Sequence, residues 1–406
     1  GHMAAGVSAD YLAEVRRRRA EAERRAAAAL ADMDAAEAAA AARPPFVAER
    51  RHASELGVRE CRREYVARYR PLVIEGMDGV TDPWPWTVEW LTNAVASKCA
   101  AVNLDGSHSA ALRVDGGVQC SGVEIMDFAA LGARLGAGKA VYLYDCSIPL
   151  KLPALTERVS VPAYFSHDWL MRTRGLHAFS RSWPSLFVGA AGTRSSLHID
   201  QWKGHFWMAQ LAGEKQWTVF HPDDTWCLYP TWDESSARLE PTFGNLDEME
   251  ARPDEYPLLR LARRADVTLR PGDALLVPGG APHRVVNRPG APSVAVAGNF
   301  VDASNVRAAV ADLQLMAGRA AGAPRERGCA AAADGLAELD IDADADAGPS
   351  APPPSGFRAM PWADCARGAG ADLGRWWDDA AAERRVMGAA VDGAAVGGGD
   401  GGDDGC

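Results

Sequence analysis

Eight short apolar segments crowd the stretch 185–300 of this chain. They lie around 185–190, 195–200, 205–211, 215–220, 267–270, 273–278, 283–287 and 293–300, each ended by a Gly, Pro or Asp turn. Segments this short suit strands rather than helices, and their even spacing predicts a β-sandwich or barrel. Upstream, Val73-Ile74 after Pro71 reads as a buried strand, and a helix runs through Trp90-Leu91. A second helix over 126–135 ends at Gly136-Ala137-Gly138 and leads into a strand over 141–144.

The flanks read differently. Residues 1–45 hold Gly1-His2-Met3, taken as a tag remnant, and then an Ala/Arg/Glu helix over 9–43 with no breaker before Pro44-Pro45. Its runs Arg16–Arg19 and Arg24-Arg25 form either a solvated face or a basic patch for an anionic partner. Residues 46–305 form the globular domain. Residues 306–392 are a C-terminal helical region, with a helix over 306–318, an acidic and Pro-rich linker, and a segment over 371–391 holding Trp376-Trp377. Residues 393–406 are a Gly/Asp tail expected to be disordered.

Composition narrows the function classes. Asp and Glu outnumber Lys and Arg by 54 to 43, a net charge of −11, which argues against holding nucleic acid through bulk electrostatics. No run of apolar residues is long enough for a membrane helix, and no secretory leader is read. The eight cysteines show no CxxC pair, so free thiols in nucleus or cytoplasm are expected.

Ser195-Ser196-Leu197-His198-Ile199-Asp200 carries the chemistry. On a strand, His198 and Asp200 leave the same face and can share one divalent metal. The pattern alone is cheap: His221-Pro222-Asp223 repeats it and reads as turn chemistry. A third ligand lifts the first pair above chance. Pro271-Gly272-Asp273 launches an apolar strand that Pro278-Gly279-Gly280 reverses, presenting His283 on the next one. Two histidines and one carboxylate with open positions form the facial triad of non-haem Fe(II) oxygenases. Lys215 begins an otherwise inward-facing apolar strand, paired with a metal-bearing one, where an unpaired charge is costly. A buried cation there suits the distal carboxylate of a keto-acid such as 2-oxoglutarate.

Together, His198-Ile199-Asp200, Trp207, Gly213-x-Lys215-x-Trp217, Val277-Pro278-Gly279-Gly280 and His283-x-x-x-Asn287 resemble the JmjC (Jumonji-C) oxygenases. The likeness is to their small protein-hydroxylase branch, with its lysyl hydroxylases. Residues 68–74 and 161–170 extend it, so it covers about 46–305. The resemblance implies a mainly β fold: a double-stranded β-helix (jelly roll, cupin-like) core with flanking α-helices. It implies Fe(II) on His198, Asp200 and His283, with O2 as oxidant. It also implies 2-oxoglutarate held by Lys215 with Tyr142, Ser195, Asn287 and Asn299. Two positions depart from the pattern: Met208 stands where Asn or Ser is common, and Ala297 where Thr is frequent.

The expected function is hydroxylation of a Lys, Arg or Asn side chain of a protein, with succinate and CO2 as co-products. Alternatives are a tRNA or other nucleic-acid hydroxylase using the Arg-rich helix, an N-methyl demethylase, and an inactive JmjC-fold binding protein. Trp202 and Lys203, just past the ligand strand, are the candidates for substrate contact, and the remaining tryptophans read mostly as core.

Overall fold

The computed structural model describes residues 8–104, 107–108, 122–166, 168–170, 183–234, 238–317, 333 and 359–361. The segment over 371–391, the acidic linker and the Gly/Asp tail lie outside the described residues.

The eight expected strands form within a few residues of their expected bounds, and they pair first with last. Ser185–Gly189 joins Ser293–Phe300, and Arg194–His198 joins His283–Asn287. His205–Ala212 joins Ala274–Val277, and Lys215–Phe220 joins Arg264–Leu269. All four pairings are antiparallel. This nesting is one long ribbon folded across two sheets, the double-stranded β-helix or jelly roll.

Members of the ribbon fall alternately into a nine-stranded and a five-stranded sheet, apart from the two consecutive strands that close it. The larger sheet is extended on one side by Leu72–Glu75 and Glu49–His52, and on the other by Tyr142–Ser147, Cys99–Asn103 and Val123–Asp127. Phe187, Phe206 and Leu275 from the larger sheet meet Trp217, Val219 and Val285 from the smaller in one apolar cluster. A second cluster forms on the other face of the larger sheet, where Leu91 and Leu131 bring in the helices Val88–Ala94 and Phe128–Gly136. Among the expected core tryptophans, Trp86, Trp207 and Trp217 are buried.

The N-terminal helix departs from expectation. It runs Ala9–Ala31 and stops at Asp32, and a second helix spans Met33–Ala41. The break has a local cause: Asp32 leaves helical geometry, and its carboxylate accepts a hydrogen bond from the Ala35 N–H at 3.0 Å, capping the second helix. Nor is the first helix merely a solvated face. Tyr11 and Val15 are fully buried among Trp169, Leu170, Trp202 and Leu313, the last from the helix Val306–Ala317. Its arginines are engaged within the molecule: Arg16 with Glu234, Arg17 and Arg18 with Glu14, Arg18 also with Asp312, and Arg24 with Glu21. Arg19 donates to the Trp232 carbonyl, and Arg25 lies over the Trp226 ring.

Candidate metal and co-substrate site

His198 is the last residue of its strand, and Asp200 lies just beyond it. Asp200 keeps extended dihedrals (φ −68°, ψ 150°), so the two side chains still emerge on one side although the strand has ended. His283 opens the antiparallel neighbour, directly across from His198. The two imidazole centroids are 4.3 Å apart, and one ligand atom from each of His198, Asp200 and His283 lies within 4.8 Å of the others.

The backbone fixes both tautomers. His198 Nδ1 donates to the Ser196 carbonyl at 2.6 Å, and His283 Nδ1 donates to the Ala281 carbonyl at 3.0 Å. A carbonyl only accepts, so each Nδ1 carries the proton and each Nε2 offers a lone pair. Asp200 is oriented as well: its Oδ2 accepts from Asn299 Nδ2 at 2.9 Å, while Oδ1 lies 3.8 Å from His198 Nε2. Two neutral imidazoles and one carboxylate, each steered by a partner on its other side, suit a divalent transition metal such as iron. His221, by contrast, accepts from the Asp223 N–H through Nδ1, which is the turn chemistry expected of it.

The three ligands open onto a cavity that Tyr142, Ser195, Met208 and Asn299 also line. Lys215 begins the strand next to that of His283, paired with Asn287 across the sheet, and is fully buried. Its Nζ donates to Asn287 Oδ1 at 2.7 Å and lies 5.4 Å from the centre of the Tyr142 ring. Asn287 is held in turn by donating to Thr193 Oγ1 at 2.6 Å. Burial pushes the Lys215 ammonium down from 10.5 to about 7, and among the described residues no carboxylate offsets it. Tyr142, whose hydroxyl pairs with Ser195, is pushed up to about 12 by burial.

Of the residues singled out from sequence, His198, Asp200, His283, Tyr142, Ser195 and Asn299 share the cavity. Lys215 and Asn287 form a hydrogen-bonded pair beside Tyr142 rather than part of its lining. Trp202 and Lys203 are not brought there. Trp202 is 5% exposed, packed against Trp183 beneath the N-terminal helix, and Lys203 packs over Gly280. The two departures, Met208 and Ala297, prove to be cross-strand partners, so they form one apolar patch.

Sequence reasoning missed Tyr144, Asp145 and Thr193. Tyr144 follows from Tyr142 by strand alternation and could have been found that way. Asp145 could not: a register shift between Leu143 and Cys146, with Asp145 at φ 49°, brings this carboxylate into the cavity lining.

Comparison with known proteins bears on this geometry. A family model described as a cupin-like domain matches residues 58–305. A lysine-specific demethylase of Arabidopsis thaliana is 24% identical over 250 residues, covering 61% of this chain and 24% of that protein. An arginine-specific demethylase of the same plant is 25% identical over 267 residues, covering 60% and 48%. Jumonji C domain-containing protein 5 of Drosophila melanogaster is 32% identical over 164 residues, covering 38% and 37%. The matched part thus spans less than half of each of these relatives.

Proposed function

The chain belongs to the cupin-like, Jumonji-C family, and from that premise we propose that it is an Fe(II)- and 2-oxoglutarate-dependent dioxygenase oxidising a side chain of a protein substrate. One observation carries the reading: a metal-ready His198–Asp200–His283 triad lies near a buried lysine that has no carboxylate partner among the described residues. Fe(II) with 2-oxoglutarate and O2 supplies an oxidant for an unactivated C–H bond, leaving succinate and CO2. The chain's own part is to bind, orient and exclude water. His198, Asp200 and His283 hold the metal. Lys215 meets the distal carboxylate of the co-substrate and regains in that pairing the charge neutralisation it lacks. Tyr142 and Ser195 add hydrogen-bonding hydroxyls, and Met208 adds an apolar side chain to the lining.

The cavity also speaks to the substrate. Among the described residues its lining carries two carboxylates, Asp145 and Asp200, and no lysine or arginine. With Asp200 committed to the metal, Asp145 remains beside Tyr144 to receive a cation. This favours a Lys or Arg side chain over Asn. Removal of an N-methyl group is the same oxidation on a methyl carbon, and the names of the two plant relatives support that second reading. The nucleic-acid alternative is disfavoured by the net charge of −11 and by the pairing of Arg16, Arg17, Arg18 and Arg24 with carboxylates of the same molecule.

The test is turnover against a peptide panel bearing Lys, Arg, their N-methylated forms or Asn, with Fe(II), 2-oxoglutarate and air. Succinate release with a one-oxygen mass gain, or loss of a methyl group, on a basic residue supports the proposal. Preference for Asn peptides would refute the basic substrate, and no succinate under any condition would refute the enzyme.

A further inference from the structure

The Arg-rich N-terminal helix lies outside the stretch matched by the family model, yet it is linked through Arg238 to the loop that carries a metal ligand. Its contacts run through one segment, described over 232–234 and 238–240. Tyr11 donates its hydroxyl proton to the Arg238 carbonyl at 2.8 Å, Arg19 donates to the Trp232 carbonyl at 2.7 Å, and Arg16 pairs with Glu234 at 2.8 Å. The far side of the same segment grips the ligand loop. Arg238 Nη2 donates to the Ile199 carbonyl at 2.9 Å, and Glu240 Oε1 accepts from the Trp202 N–H at 3.0 Å. Ile199 and Trp202 stand on either side of Asp200.

The loop needs such a grip. Trp202 and Lys203 are consecutive non-glycine residues with φ of 56° each, a strained conformation that persists only where the surroundings over-determine it. Two further contacts hold it: the Lys203 carbonyl accepts from Asn305 Nδ2 at 2.9 Å, and the Trp202 ring sits in the apolar cluster with Tyr11 and Val15.

We propose that the N-terminal helix is a strap: acting through Tyr11, Arg238 and Glu240, it fixes the backbone on both sides of Asp200 and so sets the geometry of the metal site. Arg238 and Glu240 are positioning residues, and the purpose of the strap rests on the metal reading above.

Two readouts on the full-length protein test it: hydrogen exchange at the amides of 199–203 without metal, and Co(II) affinity with its visible ligand-field spectrum. Arg238→Ala should speed exchange at 199–203 about tenfold and weaken Co(II) binding about tenfold with an altered spectrum. Tyr11→Phe should act in the same direction and less, and Arg238→Lys, which keeps a donor, should recover part of both. Leu131→Ala, in the remote helix Phe128–Gly136, controls for general destabilisation and should change neither. Unchanged exchange at 199–203 in Arg238→Ala, or Co(II) affinity falling equally in Leu131→Ala, would overturn the strap. Strap-dependent exchange in a protein that binds no Co(II) even as wild type would support the fastening and strike instead at the metal reading.

Discussion

Lys215→Met should make the metal-free protein more stable while destroying its co-substrate site. The ammonium is fully buried, and its partner is a neutral amide. The unfolded chain holds this proton up to 10.5 and the folded chain releases it near 7, so between those values the unfolded state binds one proton more. Stability therefore rises with pH across that window and is lost as pH falls through it. At pH 7 and below the folded protein carries the whole cost, an upper bound of about 5 kcal/mol. Methionine abolishes this cost but leaves Asn287 Oδ1 without its donor, which takes back about 1–3 kcal/mol. The net is a gain of at most about 2–4 kcal/mol at neutral pH, and near pH 10, where the wild-type lysine is already neutral, the orphaned Asn287 oxygen makes the variant the less stable by about 1–2 kcal/mol. Denaturant unfolding of both proteins at the two pH values measures it. Adding 2-oxoglutarate with Mn(II) should then stabilise the wild type and leave the variant unmoved. A variant less stable than wild type at pH 7, or one that 2-oxoglutarate still stabilises in full, would refute the reasoning.

Three other substitutions separate the parts of the site. Asp145→Asn should cut turnover of basic peptides at least about tenfold, mainly through KM, while metal and 2-oxoglutarate binding measured by calorimetry stay put. Asn299→Leu removes the donor that orients Asp200 and should weaken Mn(II) or Co(II) binding about tenfold by titration. Gly279→Ala should destabilise the fold by several kcal/mol in thermal unfolding, because a Cβ there would sit 2.2 Å from the Lys203 carbonyl oxygen, a backbone atom with nowhere to go.

The ribbon was legible in the sequence because its strands are short and punctuated: Gly213, at φ 65°, sits in the turn where Ala212-Gly213-Glu214 announced one. The triad was legible because metal ligation at i and i+2 survives even when the strand ends between its members, as it does after His198. What escaped depends on register or on distant partners. Asp145 reaches the cavity through a local irregularity that alternation cannot foresee. Trp202 follows Asp200 so closely that it read as part of the mouth, yet the N-terminal helix, nearly two hundred residues earlier, covers it. Arg238 and Glu240 lie in a segment without periodic pattern, and only the fold shows that they brace the ligand loop.

The central claim is that the triad and Lys215 together hold iron and a keto-acid. Its most direct test is anaerobic: Fe(II) and 2-oxoglutarate added to the purified protein, read as the visible charge-transfer band of a chelated 2-oxo acid. A band that His198→Ala abolishes and Lys215→Met weakens is the predicted result. A folded wild type with no band would contradict the claim, and the apolar patch of Met208 and Ala297 would then mark a pocket that binds without oxidising.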